Sequence, residues 1–193
     1  INQNIKIISI MHANNEIGTI QPIKELGKLC KDNNIIFHVD AAQSLGKIKI
    51  DVKDMNIDLL SISSHKIYGP KGVGALYIKN KIKIDPLIVG GGQENNIRSG
   101  TLATPLIVGF GKACEISLKK IDSENKKIKK LSNNLIDGIL NKYPDSKLNG
   151  SKEFRIPGNI NFSFPFLNGM SIINSMPQLA LSSGSACTSS SPL

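Results

Sequence analysis

The sequence predicts an α/β fold on a mixed, largely parallel sheet, with a smaller part following it. Three observations predict this. Short β-rich runs alternate with a helical pattern over the first half, each apolar run ends in polar residues, and a long helical pattern then gives way to short segments of mixed kind. At 193 residues the chain can bury a real core, and at 40% hydrophobic and 20% charged residues it has a globular composition.

The elements follow in order. IKIISIM is the first strand. PIKELGKLCKDNN is a helix with Pro22 near its first turn, where a missing N–H costs nothing. IIFHVD, DLLSIS and GALYIK are further strands. Only the Gly-rich turn after Lys66 separates the last two, so a hairpin is permitted there and mixed pairing is expected. From Thr104 to Tyr143 the pattern is helical, bounded by Pro105 and Pro144. NINFSF reads as a later strand, GMSIINS as a short helix and LALS as another strand. The change of pattern between residues 115 and 130 sets a domain boundary, with a large domain over 1–120 and a small one over 121–193.

Composition narrows the function classes. The net charge of +9 comes from 22 lysines and only 2 arginines, without aromatic residues interleaved, which argues against a nucleic-acid surface. The densest basic stretch, KKIDSENKKIKK, spaces Ile121 and Ile128 as a narrow buried stripe on a solvated helix. Three cysteines without C-x-x-C spacing exclude a disulfide framework and a zinc site, and favour a reducing compartment. No apolar run approaches the about 18 residues of a membrane span. INQNIKIISI lacks the features of a secretory leader, and the pattern reads as the middle of a longer polypeptide.

In open α/β sheets ligands bind at the carboxyl ends of the strands. Gathered there are His12, Asn14 and Asn15 after the first strand, His38, Asp40 and Gln43 around the second, and Ser63, Ser64, His65 and Lys66 after the third. A buried carboxylate at Asp40 calls for a cation. Lys66 could pair with it directly. Alternatively Asp40 holds a protonated pyridine nitrogen while Lys66 forms a Schiff base with pyridoxal phosphate, Ser63 and His65 donate to the phosphate, and Gln43 contacts the ring hydroxyl. GPKGVG precedes a strand and is neither a Rossmann nor a P-loop motif. GGGQENNIRSGT, with Arg98 before Ser-Gly-Thr, suits either a phosphate or a structural loop. Cys30 and Cys114 fall within helical patterns as small buried hydrophobes. Cys187, amid small polar residues in LSSGSACTSSS, is either incidental or a nucleophile.

Taken together, MHANNEIGTIQPI, HVDAAQSLGKI, SSHKIYGPKGVGALY, GGGQENNIRSGT and SSGSACTSSS resemble, in order, the motifs of the cysteine desulfurases of iron-sulfur cluster assembly, within the class V aminotransferases. The resemblance covers nearly the whole chain. It implies a fold-type-I pyridoxal-phosphate transferase: a mostly parallel mixed sheet with helices on both faces, a smaller α+β carboxyl-terminal domain, and a homodimer with its site at the subunit interface. By the same resemblance Lys66 is the Schiff-base lysine, Asp40 the pyridinium partner and Gln43 the ring-hydroxyl contact. Asn15 lies beside cofactor and substrate, Ser63 and His65 bind the phosphate, Thr101 reaches a phosphate across the dimer, and Cys187 is the catalytic cysteine. The implied substrate is L-cysteine, its sulfur passing through a persulfide on Cys187 to an iron-sulfur scaffold or other acceptor protein. The implied location is bacterial cytoplasm or organellar matrix. The resemblance also implies a phosphate loop and a ring-stacking histidine before Ile1, and a carboxylate-binding arginine after Leu193. Asn95 and Asn96 stand where Arg-Gly is usual, and NGMS where EGES is general. Two other readings compete: another class V lyase, such as a selenocysteine lyase, and a dimerisation or scaffold-binding module without activity.

Overall fold

A computed structural model describes residues 4–184, and by contacts the chain divides into two compact units. The first comprises Ile1–His12 and Pro22–Ile121, the second Ala13–Gln21 and Asp122–Leu193. The turn between the first strand and the first helix therefore belongs to the second unit, although its neighbours on both sides belong to the first.

The first unit is built on four strands, β1 (Ile7–Met11), β2 (Ile36–Asp40), β3 (Leu59–Ser63) and β4 (Gly74–Ile78), in the order β1-β2-β3-β4. The first three are parallel and β4 returns antiparallel to β3, as the ten-residue link from Ser64 to Val73 permits. Met11 is level with Asp40, and Asp40 with Ser61, so three carboxyl ends lie side by side. Helix α1 (Ile23–Asp32) begins after Pro22 and buries Ile23, Gly27 and Cys30. Ile23 and Cys30 pack with Phe37, Val39, Ile57 and Leu60, with Ile8, Ile10 and Ile62 around them. Ile62 also packs against a second cluster, in which Phe110 and Ala113 of helix α2 (Thr104–Lys142) meet Ile67. Alternation along the strands assigns these residues to one face. The right-handed β1–α1–β2 crossover sets α1 on this face, and α2, which follows β4, packs on it through Phe110 and Ala113.

The other face carries Ser9, His38, Asp40, Ser61 and Ser63. Ser9 Oγ lies 2.7 Å from His38 Nδ1, and Ser61 Oγ 2.8 Å from His38 Nε2, a polar row across three strands. Asp58 staples the opposite end of the sheet: its Oδ2 accepts from Phe37 N at 3.0 Å and its Oδ1 from Lys79 Nζ at 2.7 Å.

In the second unit the last turns of α2, which ends at Lys142, are followed by β5 (Lys147–Leu148) paired antiparallel with β6 (Phe162–Ser163). Ile136 and Ile156 are buried there, and Tyr143 meets Phe164 edge-on with ring centroids 6.2 Å apart. Helix α3 (Gly169–Ser175) starts at Asn168, whose Oδ1 accepts from Met170 N at 2.9 Å. Two expectations are corrected here. NINFSF forms only a two-residue strand because its partner β5 is itself two residues long; before it Asn161 O accepts from Asn149 N at 2.9 Å, and the Asn161 side chain ties the loop, Nδ2 donating to Glu16 O and Oδ1 accepting from Asn149 Nδ2 at 2.7 Å. LALS is not a strand. Leu179 N donates to Met176 O at 3.0 Å and Leu181 N to Leu179 O at 3.0 Å, so turn bonds take up amides that a ladder would need.

Candidate active site

The first unit gathers Asp40, Ser63, His65 and Lys66 at one edge of the sheet. Asp40 ends β2 and is half-buried. Its Oδ1 accepts from Ala42 N at 2.9 Å, closing a turn that carries the chain through Gln43, also half-buried. Among the described residues Asp40 Oδ2 has no hydrogen bond and no ion pair joins Asp40 to Lys66, so direct pairing of the two is not what this structure shows. Lys66 sits in a 3-10 turn, Ser64–Ile67, that follows β3 directly and leaves both His65 and Lys66 exposed while burying Ser64 and Ile67. Ser63 Oγ lies 3.0 Å from His65 Nδ1, a pair formed within the turn itself.

The turn is closed by Tyr68, whose φ of 63° lies in the left-handed region. A bulky side chain enters that region at a cost of about 1 kcal/mol or more. Tyr68 is kept there by its surroundings, its N–H donating to Ser64 O and so closing the turn that carries Lys66. A side chain at Gly69 would run into the buried Ser64 hydroxyl, so the turn also fits tightly from below. The charge around the turn is positive: burial, and then the charge of Lys66, hold the Lys47 amine below its ordinary pKa. His12, the residue after β1, donates its backbone N–H to Asp40 O at 2.8 Å. Its ring is buried with Nδ1 unpartnered, and burial pushes its pKa down.

The remaining expected site residues lie apart. Thr101 is exposed three residues before α2, and no hydrogen bond among the described residues joins it to the Asp40 group. Ser99 is buried nearby, its N–H donating to Ile88 O at 3.1 Å, and Gly100 N donates to Gln93 Oε1 at 3.0 Å. The GGGQENNIRSGT loop is thus held by its own bonds. Asn15 belongs to the second unit, in the turn after Asn14. Cys187 lies outside the described residues. Cys30 is buried, and burial raises the pKa of both its thiol and that of half-buried Cys114, as small core residues require. A separate concavity, lined by Val52, Ile57, Tyr77 and Lys79, opens at the amino end of β3, away from these groups.

Lys47, Arg155 and Asn159 were not singled out in the sequence. Lys47 follows the QSLG segment, where nothing in the spacing marks it. Arg155 was legible only as one of two arginines in a lysine-rich chain.

An exposed amine in the turn after one strand, beside a strand that ends in a carboxylate, on a mixed, largely parallel sheet, fits a fold-type-I α/β domain. The whole chain, residues 1–193, matches the aminotransferase class-V family, a family of pyridoxal-phosphate-dependent enzymes, and belongs to it. It is 54% identical over 187 residues to the mitochondrial cysteine desulfurase of Saccharomyces cerevisiae, spanning 96% of this chain and 37% of that one. It is 50% identical over 193 residues to the cysteine desulfurase of Homo sapiens, spanning 99% of this chain and 42% of that one. Among solved structures it superposes on a NifS-like protein with a TM-score of 0.86 at 38% identity, covering 92% of this chain and 49% of that one. The NifS-like protein of Rickettsia africae gives a TM-score of 0.85 at 37% identity, covering 94% and 51%. The chain therefore spans about two-fifths of the curated relatives it matches and about half of the solved chains.

Proposed function

We propose that the protein is a cysteine desulfurase, converting L-cysteine to L-alanine with the sulfur passing to Cys187. The observation that carries the reading is that Asp40 ends β2 and Lys66 lies in the turn that follows the neighbouring strand β3, in a chain half-identical to curated cysteine desulfurases.

The residues present fit pyridoxal phosphate. Asp40 has an oxygen free to face a pyridinium N–H, Lys66 an uncommitted amine, and the Ser63–His65 pair offers donors to a phosphate beside the positive charge of Lys66 and Lys47. Gln43 would contact the ring hydroxyl, and Thr101 would reach a phosphate from the neighbouring protomer of a homodimer. The chemistry such a cofactor supplies is an electron sink for the carbanion left at Cα. Lys66 would hold the cofactor's aldehyde carbon, and its amine would carry a proton at the substrate's Cα. Asp40 would hold the ring nitrogen in its protonated form. Asn15 stands beside cofactor and substrate. The Cys187 thiolate takes the substrate sulfur, its bond to Cβ breaking as the new S–S bond forms, so that L-cysteine and a thiol become L-alanine and a persulfide. An iron-sulfur scaffold or another sulfur acceptor then receives that sulfur, in an organellar matrix as the mitochondrial relatives' names suggest, or in a cytoplasm.

The test is alanine formation from L-cysteine by the holoprotein, with persulfide mapped on Cys187. Cys187→Ser is expected to keep the visible absorbance of the bound cofactor and lose the persulfide and at least about a hundredfold of the alanine rate. Unchanged sulfur transfer by that variant contradicts the assignment.

A further inference from the structure

Arg155 has no acidic partner among the described residues, and burial lowers its pKa. The hydrogen bonds of its guanidinium among the described residues run to carbonyl-type oxygens within the second unit. Nε donates to Ser151 O at 2.9 Å, one terminal nitrogen to Asn149 O, and the other to Asn159 O at 3.2 Å and Asn159 Oδ1 at 3.3 Å. The guanidinium thereby fixes which way the Asn159 amide faces, since Oδ1 is taken and only Nδ2 is left to donate. Nδ2 donates to Asn15 O at 3.2 Å.

The turn that receives this bond is tied down throughout. Asn14 Oδ1 accepts from Glu16 N and Ile17 N, both at 2.9 Å, and Gly18 N donates to Asn14 O at 3.1 Å. Asn161 Nδ2 donates to Glu16 O, and Ile156 N donates to Gly18 O at 2.9 Å. Gly18, at φ +70°, is pressed against the Asn159 side chain, where a Cβ would fall 2.6 Å from Oδ1. Arg155 is half-buried, and a partly desolvated guanidinium is held best where its fork of donors meets several fixed oxygens at once.

We infer that Arg155 is a positioning residue, which acts through Asn159 to hold the backbone of Asn15 and so aims the Asn15 side chain. The inference deepens the reading above, on which Asn15 stands beside cofactor and substrate. Arg155→Lys keeps a charge but cannot span Ser151, Asn149 and Asn159 together, and Asn159→Ala removes the link to Asn15 with the Oδ1 bond while leaving Arg155 its bonds to the carbonyls of Ser151, Asn149 and Asn159. Arg155→Lys guards against misfolding that Arg155→Ala would invite, because thermal unfolding of both variants can be compared with the parent.

Amide hydrogen exchange in the full protein reads the link directly. Both variants are expected to speed exchange over residues 13–21 by about tenfold while β1 to β4 stay protected. Equilibrium uptake of pyridoxal phosphate, followed by absorbance, should weaken by about tenfold in the same variants. Unchanged exchange over 13–21 overturns the inference. Faster exchange with unchanged cofactor affinity overturns it as well, since the clamp would then serve only the fold. Neither readout requires alanine formation, so failure of the desulfurase reading is seen separately, in the unsubstituted protein.

Discussion

His12 is where a single residue makes the sharpest prediction. Its ring is buried with an unpartnered Nδ1, and burial holds its pKa below the ordinary value of 6.5. The unfolded chain therefore binds a proton near pH 6.5 that the folded chain refuses until lower pH. Stability is full above that value and falls as pH drops through the window beneath it. Tm measured from pH 7.5 to 5 should decline below about 6.5, and His12→Gln should flatten that decline. Depressed carboxylates such as Glu115, with an ordinary value of 4.5, act only at lower pH and leave the window clear. An identical slope in the variant would show that His12 does not titrate across unfolding. Lys66 illustrates the complementary limit. Its place after an apolar strand and before a Gly-rich turn was readable in the sequence, and so was Asp40. That no ion pair joins them was not, because strand-end positions fix only which elements carry the two residues, while the dihedral angles of the turn, Tyr68 at 63° among them, fix direction.

Among the elements, α1 shows packing prevailing over intrinsic preference. Gly27 lies on its buried face, and a Cβ there would run into the Met55 carbonyl oxygen, which is backbone and cannot swing aside. Alanine is the better helix former by about 1 kcal/mol, yet overpacking against backbone costs about 1–3 kcal/mol. Gly27→Ala is therefore expected to destabilise the protein by up to about 2 kcal/mol in urea unfolding, and a gain in stability would contradict the packing described. The regular elements of the first unit were legible because apolar alternation and helix periodicity agree with their surroundings: IISIM, IFHVD, LLSIS and GALYI all form strands. The second unit was less so. LALS has strand composition without a strand beside it among the described residues, and the asparagines of NIN are committed to loop bonds. Side-chain amides that compete with the ladder are invisible to pattern reading.

For the molecule as a whole, the two units answer different questions. The first presents the amine and the acid on a rigid sheet edge. The second holds the Asn15 turn, a segment that chain order alone would assign to the first. Motifs spread from Met11 to the last residues made the family readable, and those among the described residues place reactive side-chain types at strand ends or loops. The central claim is that the amine of Lys66 carries pyridoxal phosphate. Borohydride reduction of the holoprotein, followed by peptide mass spectrometry, tests it most directly. A phosphopyridoxyl group on the peptide containing Lys66, lost in Lys66→Ala, is the expected result. The same group found on Lys47 or any other lysine, or on none, would contradict the account.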